Sequence, residues 1–304
     1  MPKRSLEKET SRTALLAALY RAIGNKEFGS LEVGPDYLAE RFLPFYAGWF
    51  IKSKKLRNKI RDEHRTKMPG IYEYVLARTA FFDRLFTDAL AENISQIVML
   101  GAGYDTRAYR FADQNKGSRI FELDSAATQS RKKKRLKRAK IKLPEEVHYV
   151  SVDFNKESLK DALERAGCKN DRKTLFIWEG VCMYLEPESV DAILGFITHS
   201  SHQNSMIAFD YVITISDENR PHIYGAEEIF RIMQREQTKE PFTFTIDEDK
   251  VEDFFRQRGL NIVEHFDHSQ IEKKFLCREN GTSIGQPNGV FRFVAASPSA
   301  PGVS

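Results

Sequence analysis

IVMLGAGYDTRAYRF, residues 97–111, decides how this chain folds. The apolar run 97–100 is too short for a helix, ends on Gly101-Ala102-Gly103, and leads into a segment of helical composition. A buried strand, a tight turn and a short helix are expected in that order. Glycines at the turn let a ligand lie against bare backbone at the carboxyl end of a strand, where open α/β sheets bind their ligands. The same steric freedom would serve any tight turn, so the loop marks a pocket without naming its occupant.

Downstream the rhythm repeats. RIFELD (119–124), HYVSVDF (148–154), TLFIWEG (174–180), SMIAFDYV (205–212), NIVEHFD (261–267) and VFRFVAAS (290–297) read as buried strands. Segments of helical length lie at 126–139, 157–166, 187–200 and 247–258, with Pro187 placed for a first turn and Gly167 and Gly259 for C-caps. This alternation predicts a mainly parallel α/β sheet with helices on both faces. The connection between the last two runs ends in a Gly/Asn/Ser-rich stretch, 279–289, too irregular for a crossover helix, so they are expected to pair as an antiparallel hairpin. Upstream, Leu15, Leu16, Leu19 and Ile23 give 5–23 a helical period; 35–46 and 71–90 also read as helices, with the basic segment 52–67 between them. The expected architecture is a Rossmann-like, seven-stranded sheet. A helical N-terminal cap (1–92) should form one unit with a core domain (93–297), followed by a frayed tail (298–304).

Composition narrows the function classes. The chain has 304 residues, 41% of them hydrophobic, and 47 basic against 43 acidic residues for a net charge of +4. It is too apolar to be disordered, and its charge does not argue for nucleic acid. No run approaches the roughly 18 apolar residues of a membrane span, so a soluble cytoplasmic protein with no membrane partner is expected. Cys168, Cys182 and Cys277 are far apart, and His199 and His202 lack acidic or cysteine partners, so no metal site is expected. The run RKKKRLKRAK, 131–140, falls in a helix without interleaved aromatics and is read as a solvated face, not a nucleic-acid site.

The chemistry gathers at the strand ends. Asp124 follows the glycine loop by about twenty residues, where an acid accepts hydrogen bonds from a ribose diol. Dinucleotide sites share that feature, but Thr106, followed by Arg107, occupies the position of their third glycine, which counts against NAD. Asp153 and Glu179 close the next two strands. Any one of these acids could be a helix cap. Together they form an acid-lined edge, poor for pyrophosphate but suited to an ammonium, a sulfonium, a ribose diol and an adenine amine. That set of groups describes S-adenosyl-L-methionine.

SRTALLAALYRA (11–22), ARTAFFD (77–83), LGAGYDTRAYRF (100–111), ELD (122–124), VDF (152–154) and EGVCMYLEPESV (179–190) together resemble the leucine carboxyl methyltransferase family, in particular its bacterial S-adenosyl-L-methionine-dependent branch. The resemblance covers residues 11–197 and implies a class I methyltransferase fold. It implies that Arg78 holds the methionine carboxylate and that Gly101, Ala102 and Gly103 back the methionine. Asp124 would bind the ribose, Asp153 and Phe154 the adenine, and Glu179 would face the amino-acid end. Three departures stand out: Ser-Ala after ELD, Phe154 where leucine is commoner, and Trp178 where a smaller residue is usual. The family implies O-methylation of a carboxyl or hydroxyl group on a small-molecule acceptor. Tyr184, Tyr211, His222 and Tyr224 are candidate acceptor contacts, and the cap and the 216–240 connection would close over them. No catalytic residue and no oligomeric state is assigned. A protein C-terminal carboxyl methyltransferase and an NAD-binding oxidoreductase are the alternatives.

Overall fold

In the computed structural model, which describes residues 6–28, 36–153, 157–235, 242–278 and 280–299, four helices precede the sheet. They are α1 (Leu6–Phe28), α2 (Phe45–Phe50), α3 (Lys54–Lys67) and α4 (Ile71–Ala91). Strand and helix then alternate: β1 (Gln96–Leu100), α5 (Arg107–Arg110), β2 (Arg119–Asp124), α6 (Ala126–Arg138), β3 (Val147–Ser151), α7 (Leu159–Arg165), β4 (Thr174–Trp178), α8 (Pro187–Ser200) and β5 (Met206–Val212). The chain continues through α9 (Ala226–Arg235), α10 (Val251–Gln257), β6 (Leu260–Phe266), α11 (His268–Ile271) and β7 (Phe291–Pro298). All seven expected strands form.

The strand order is β3-β2-β1-β4-β5-β7-β6. β1 to β5 pair in parallel, and β7 runs antiparallel between β5 and β6. The order reverses between β1 and β4, which places the crevice at the carboxyl ends of those two strands. Local chemistry fixes the helix starts. Ser125 and Ser158 cap α6 and α7 by accepting from backbone N–H groups three residues on, and Pro187 occupies the first turn of α8. Gly167 and Gly259 take left-handed φ values of 77° and 65° beyond α7 and α10.

Alternation along the strands divides the core. Ile97, Met99, Ile120, Leu175, Ile177 and Ala208 face one side and pack in a single cluster with Ala18, Ile23, Tyr72 and Leu76 of the cap helices. Val98, Leu100, Phe121, Phe176, Trp178 and Phe209 face the other side and pack with residues of α7, α8 and α10.

Two expectations need correction. The expected helix 35–46, of which Pro35 lies outside the described residues, is not continuous over 36–46: a single 3₁₀ turn, Ala39–Phe42, stops at the extended Leu43, and Pro44 caps α2. Proline disfavours helical backbone in the residue before it, so the break belongs at Leu43. The basic run is not wholly a solvated face either. Lys133, Lys134, Lys137 and Arg138 are exposed, but Lys132 is buried and its Nζ lies 2.8 Å from Oε2 of the buried Glu122. Lys132 shares the inward stripe of α6 with Gln129 and Leu136, three behind and four ahead.

Candidate functional site

Gly101 and Gly103, at the tip of β1, both adopt left-handed backbone, with φ of 70° and 42°. A Cβ on Gly101 would stand 2.6 Å from Cγ2 of Val181, so the loop is pressed against the segment that follows β4. A Cβ on Gly103 would meet only the Gly101 carbonyl oxygen, at 3.8 Å; that side of the loop is open, as a cradle for a ligand requires. The Ala102 N–H donates to the Leu123 carbonyl at 2.8 Å.

Asp124, at the tip of β2, braces the loop. Its Oδ2 accepts from the Gly103 N–H and its Oδ1 from the Ser125 N–H, each at 2.7 Å. Burial raises its pKa, against the opposing pull of those two backbone donors. The Thr128 side chain also bonds this carboxylate, which leaves one of its roughly four acceptor positions for a ribose hydroxyl.

Gly101→Ala is expected to cost about 1–2 kcal/mol from the left-handed backbone alone. The clash with Val181 should add to that cost. Val181→Ala should restore only the clash component in urea titrations; full rescue would show that the backbone conformation is not what demands glycine.

Arg78 and Glu179 meet beside the loop. Arg78 Nε lies 3.0 Å from Glu179 Oε1, and Arg107 Nη1 lies 2.6 Å from Glu179 Oε2. Burial would raise the Glu179 pKa, but the guanidinium groups of Arg107 and Arg78 hold it at about 2. Gly180, at φ 68°, leaves the space Arg78 needs: a Cβ there would stand 2.8 Å from its Nη1. That same Nη1 donates to the Tyr74 hydroxyl at 3.1 Å and lies 3.3 Å from Asp210 Oδ2. Arg78 Nη2 takes part in no hydrogen bond among the described residues, so its N–H groups are left to donate to a ligand.

Several members of this site lay outside the sequence reading. Asp210 is fully buried on β5 and accepts from the Tyr74 hydroxyl and, at 2.6 Å, from the Gly180 N–H. Burial raises its pKa while Arg78 pulls it down. Arg107 binds Asp83 at 2.7 Å as well as Asp105 and Glu179. Arg110 grips both oxygens of Asp83 at 2.7 Å, and Arg21 joins Asp36 to the Tyr104 carbonyl. One signal was available: an acid inside the apolar run MIAFDYV must be buried and therefore paired.

The other expected residues are dispersed. Asp153 is exposed at the end of β3, and Phe154 lies outside the described residues. Tyr184 is half-buried against Phe242. Tyr211 follows Asp210 on β5 and so faces the opposite side of the sheet, where its hydroxyl meets His265 Nε2 at 2.8 Å. His222 and Tyr224 are exposed in the connection after β5, part of which, 236–241, lies outside the described residues. The sheet edge thus gathers Arg78, Gly101, Ala102, Gly103, Asp124 and Glu179, while Tyr211 is held away from it.

Residues 14–198 match the leucine carboxyl methyltransferase family. A Bacillus subtilis protein named "Putative S-adenosyl-L-methionine-dependent methyltransferase YktD" is 30% identical over 289 residues, 88% of this chain and 92% of its own length. A Mycobacterium tuberculosis protein of the same designation, Rv3399, is 32% identical over 185 residues, 60% of this chain and 53% of its own length. Two crystal structures share the fold at a TM-score of 0.56. A "putative methyltransferase" from Thermobifida fusca, 17% identical, covers 81% of this chain and 89% of that one. A DUF574 family protein from Streptomyces avermitilis, 16% identical, covers 80% and 90%. No helix among the described residues is long and apolar enough to cross a membrane. Its sheet order, its glycine loop and its relatives together place the chain in the leucine carboxyl methyltransferase family, as an S-adenosyl-L-methionine-dependent methyltransferase.

Proposed function

We propose that the chain transfers a methyl group to a carboxylate oxygen of a small molecule. The observation that carries this reading is the state of the ionisable groups at the sheet edge. Glu179 is fixed between two guanidinium groups, Asp210 is enclosed by Tyr74, Gly180 and Arg78, and Asp124 is bound to two backbone N–H groups. Each of these acids already has a partner, so none is placed to take a proton from a hydroxyl acceptor. A carboxylic acid, with a pKa near 4, is already ionised at neutral pH and needs no base.

When bound, S-adenosyl-L-methionine supplies an electrophilic methyl group. The chain's contribution is alignment: Arg78 Nη2 receives the amino-acid carboxylate, Glu179 faces the ammonium, and the open side of Gly103 backs the methionine. Asp124 would receive the ribose and Asp153 the adenine; Phe154, which the resemblance also assigns to the adenine, lies outside the described residues. Tyr184, His222 and Tyr224 remain candidates for the acceptor side. Alignment and exclusion of water are the main demands of an in-line displacement.

The test is purified protein with methyl-labelled cofactor, a panel of small carboxylic acids and phenols, and a peptide ending in leucine. Transfer to small acids at a rate that stays flat with pH above about 5 is the expected result. A rate that climbs toward a phenol's pKa near 10 would indicate a hydroxyl acceptor instead. Labelling of the peptide alone would move the function to protein carboxyl methylation.

A further inference from the structure

Seven large hydrophobic side chains are exposed among the described residues, and four of them, Tyr37, Tyr46, Trp49 and Phe50, fall within residues 37–50. Tyr46, Trp49 and Phe50 are spaced three and four apart on α2, so they share one face of the helix, and the Trp49 and Phe50 rings meet edge to face at 5.5 Å. Trp49 is 68% exposed. The sequence that follows, IKSKKLRNKIR (51–61), carries six basic residues and no acid. Lys52, Lys54 and Lys55 are exposed and take part in no ion pair among the described residues. Arg57 donates to the Ile51 and Lys52 carbonyls and so ties the lysines to the end of α2.

We infer that α2 and the start of α3 form a docking surface for an anionic phospholipid bilayer. Trp, Tyr and Phe rings suit the headgroup boundary, and adjacent lysines suit its negative charge. The positive charge disfavours a second copy presenting the same patch, because the lysines would lie near one another. Peripheral contact of this kind needs no spanning segment. The inner side of this region is joined to the cofactor loop: the Phe42 ring lies 5.4 Å from the Tyr104 ring, and the Tyr37 hydroxyl donates to the Arg110 carbonyl. A docked α2 would therefore hold the site edge near the lipid.

Intrinsic fluorescence provides the test, because the chain has two tryptophans and Trp178 is fully buried. Vesicles of equimolar phosphatidylcholine and phosphatidylglycerol should pellet the full chain and blue-shift its emission, whereas phosphatidylcholine alone should do neither. Trp49→Ala should abolish the shift. Lys52→Glu/Lys54→Glu/Lys55→Glu should weaken partitioning by on the order of a hundredfold while leaving the melting temperature of the free protein unchanged. An unshifted emission with no pelleting, or equal binding to both vesicle types, overturns the inference. So does a blue shift that grows with protein concentration in the absence of lipid, or pelleting displaced by single-stranded RNA.

Discussion

Arg107→Met is expected to be the most destabilising single substitution near the site, lowering the unfolding free energy by about 3–5 kcal/mol in urea titrations at neutral pH. The side chain is 2% exposed and pairs with three carboxylates on different elements: Asp83 on α4, Asp105 in the loop after β1 and Glu179 after β4. Methionine fills similar volume but takes from Asp105 its cation, leaving Asp83 to Arg110 and Glu179 to Arg78 alone. The pH dependence tells stranded charge from lost packing. In the native chain Glu179 falls from its ordinary 4.5 to about 2, so its contribution to stability is complete above 4.5 and disappears as the pH falls toward 2. In the variant that depression shrinks, acidification costs less, and the difference from the native chain should narrow on descending through that window. A difference that holds constant from neutral pH to the acid limb would mean that packing, not charge, was lost.

Arg78→Met should have the largest effect on the cofactor. One charge-assisted donor lost to a carboxylate corresponds to on the order of a hundredfold weaker binding of S-adenosylhomocysteine by calorimetry. 5′-Methylthioadenosine lacks the amino-acid end and should bind as before. An equal loss for both ligands would remove Arg78 from the proposed contact. The substitution also leaves Asp210 without its cation, so part of any effect could come from the fold. Arg78→Met/Asp210→Asn removes that stranded charge; it should recover stability while S-adenosylhomocysteine still binds poorly. Arg78→Lys keeps the charge but not the fork, and since Nε and Nη1 are engaged by Glu179 and Tyr74, an intermediate affinity is expected.

The strands were legible because each is a short apolar run bounded by Gly, Asp or Asn, and the antiparallel pairing of the last two followed from the irregular stretch 279–289 before β7, although the insertion of β7 between β5 and β6 and the short helix α11 were not read. The loop was legible through Gly101 and Gly103, whose conformations demand glycine. The pairings were much less so. Arg107 meets Asp83 across 24 positions and Tyr74 meets Asp210 across 136, and residue type alone does not reveal which distant acid a buried arginine will find. Lys132 was concealed by composition, since it sits among basic residues that are solvated, yet its spacing from Leu136 marked it as inward-facing. Tyr211 shows the reverse error. Nearness in sequence to the sheet edge suggested an acceptor contact, but the two-residue period of β5 gives Asp210 and Tyr211 to opposite faces.

The place of β7 between β5 and β6 bears on how this chain is made. Until residues 291–298 leave the ribosome, β5 offers the nascent chain an open, apolar edge, and β6 has no neighbour with which to pair. Most of the edge that carries the glycine loop can assemble early, from β1 to β4, while the sheet waits on β7. Translation that stalls after β6 would therefore release a species with a nearly complete pocket and an unprotected strand, the form most prone to edge-to-edge aggregation.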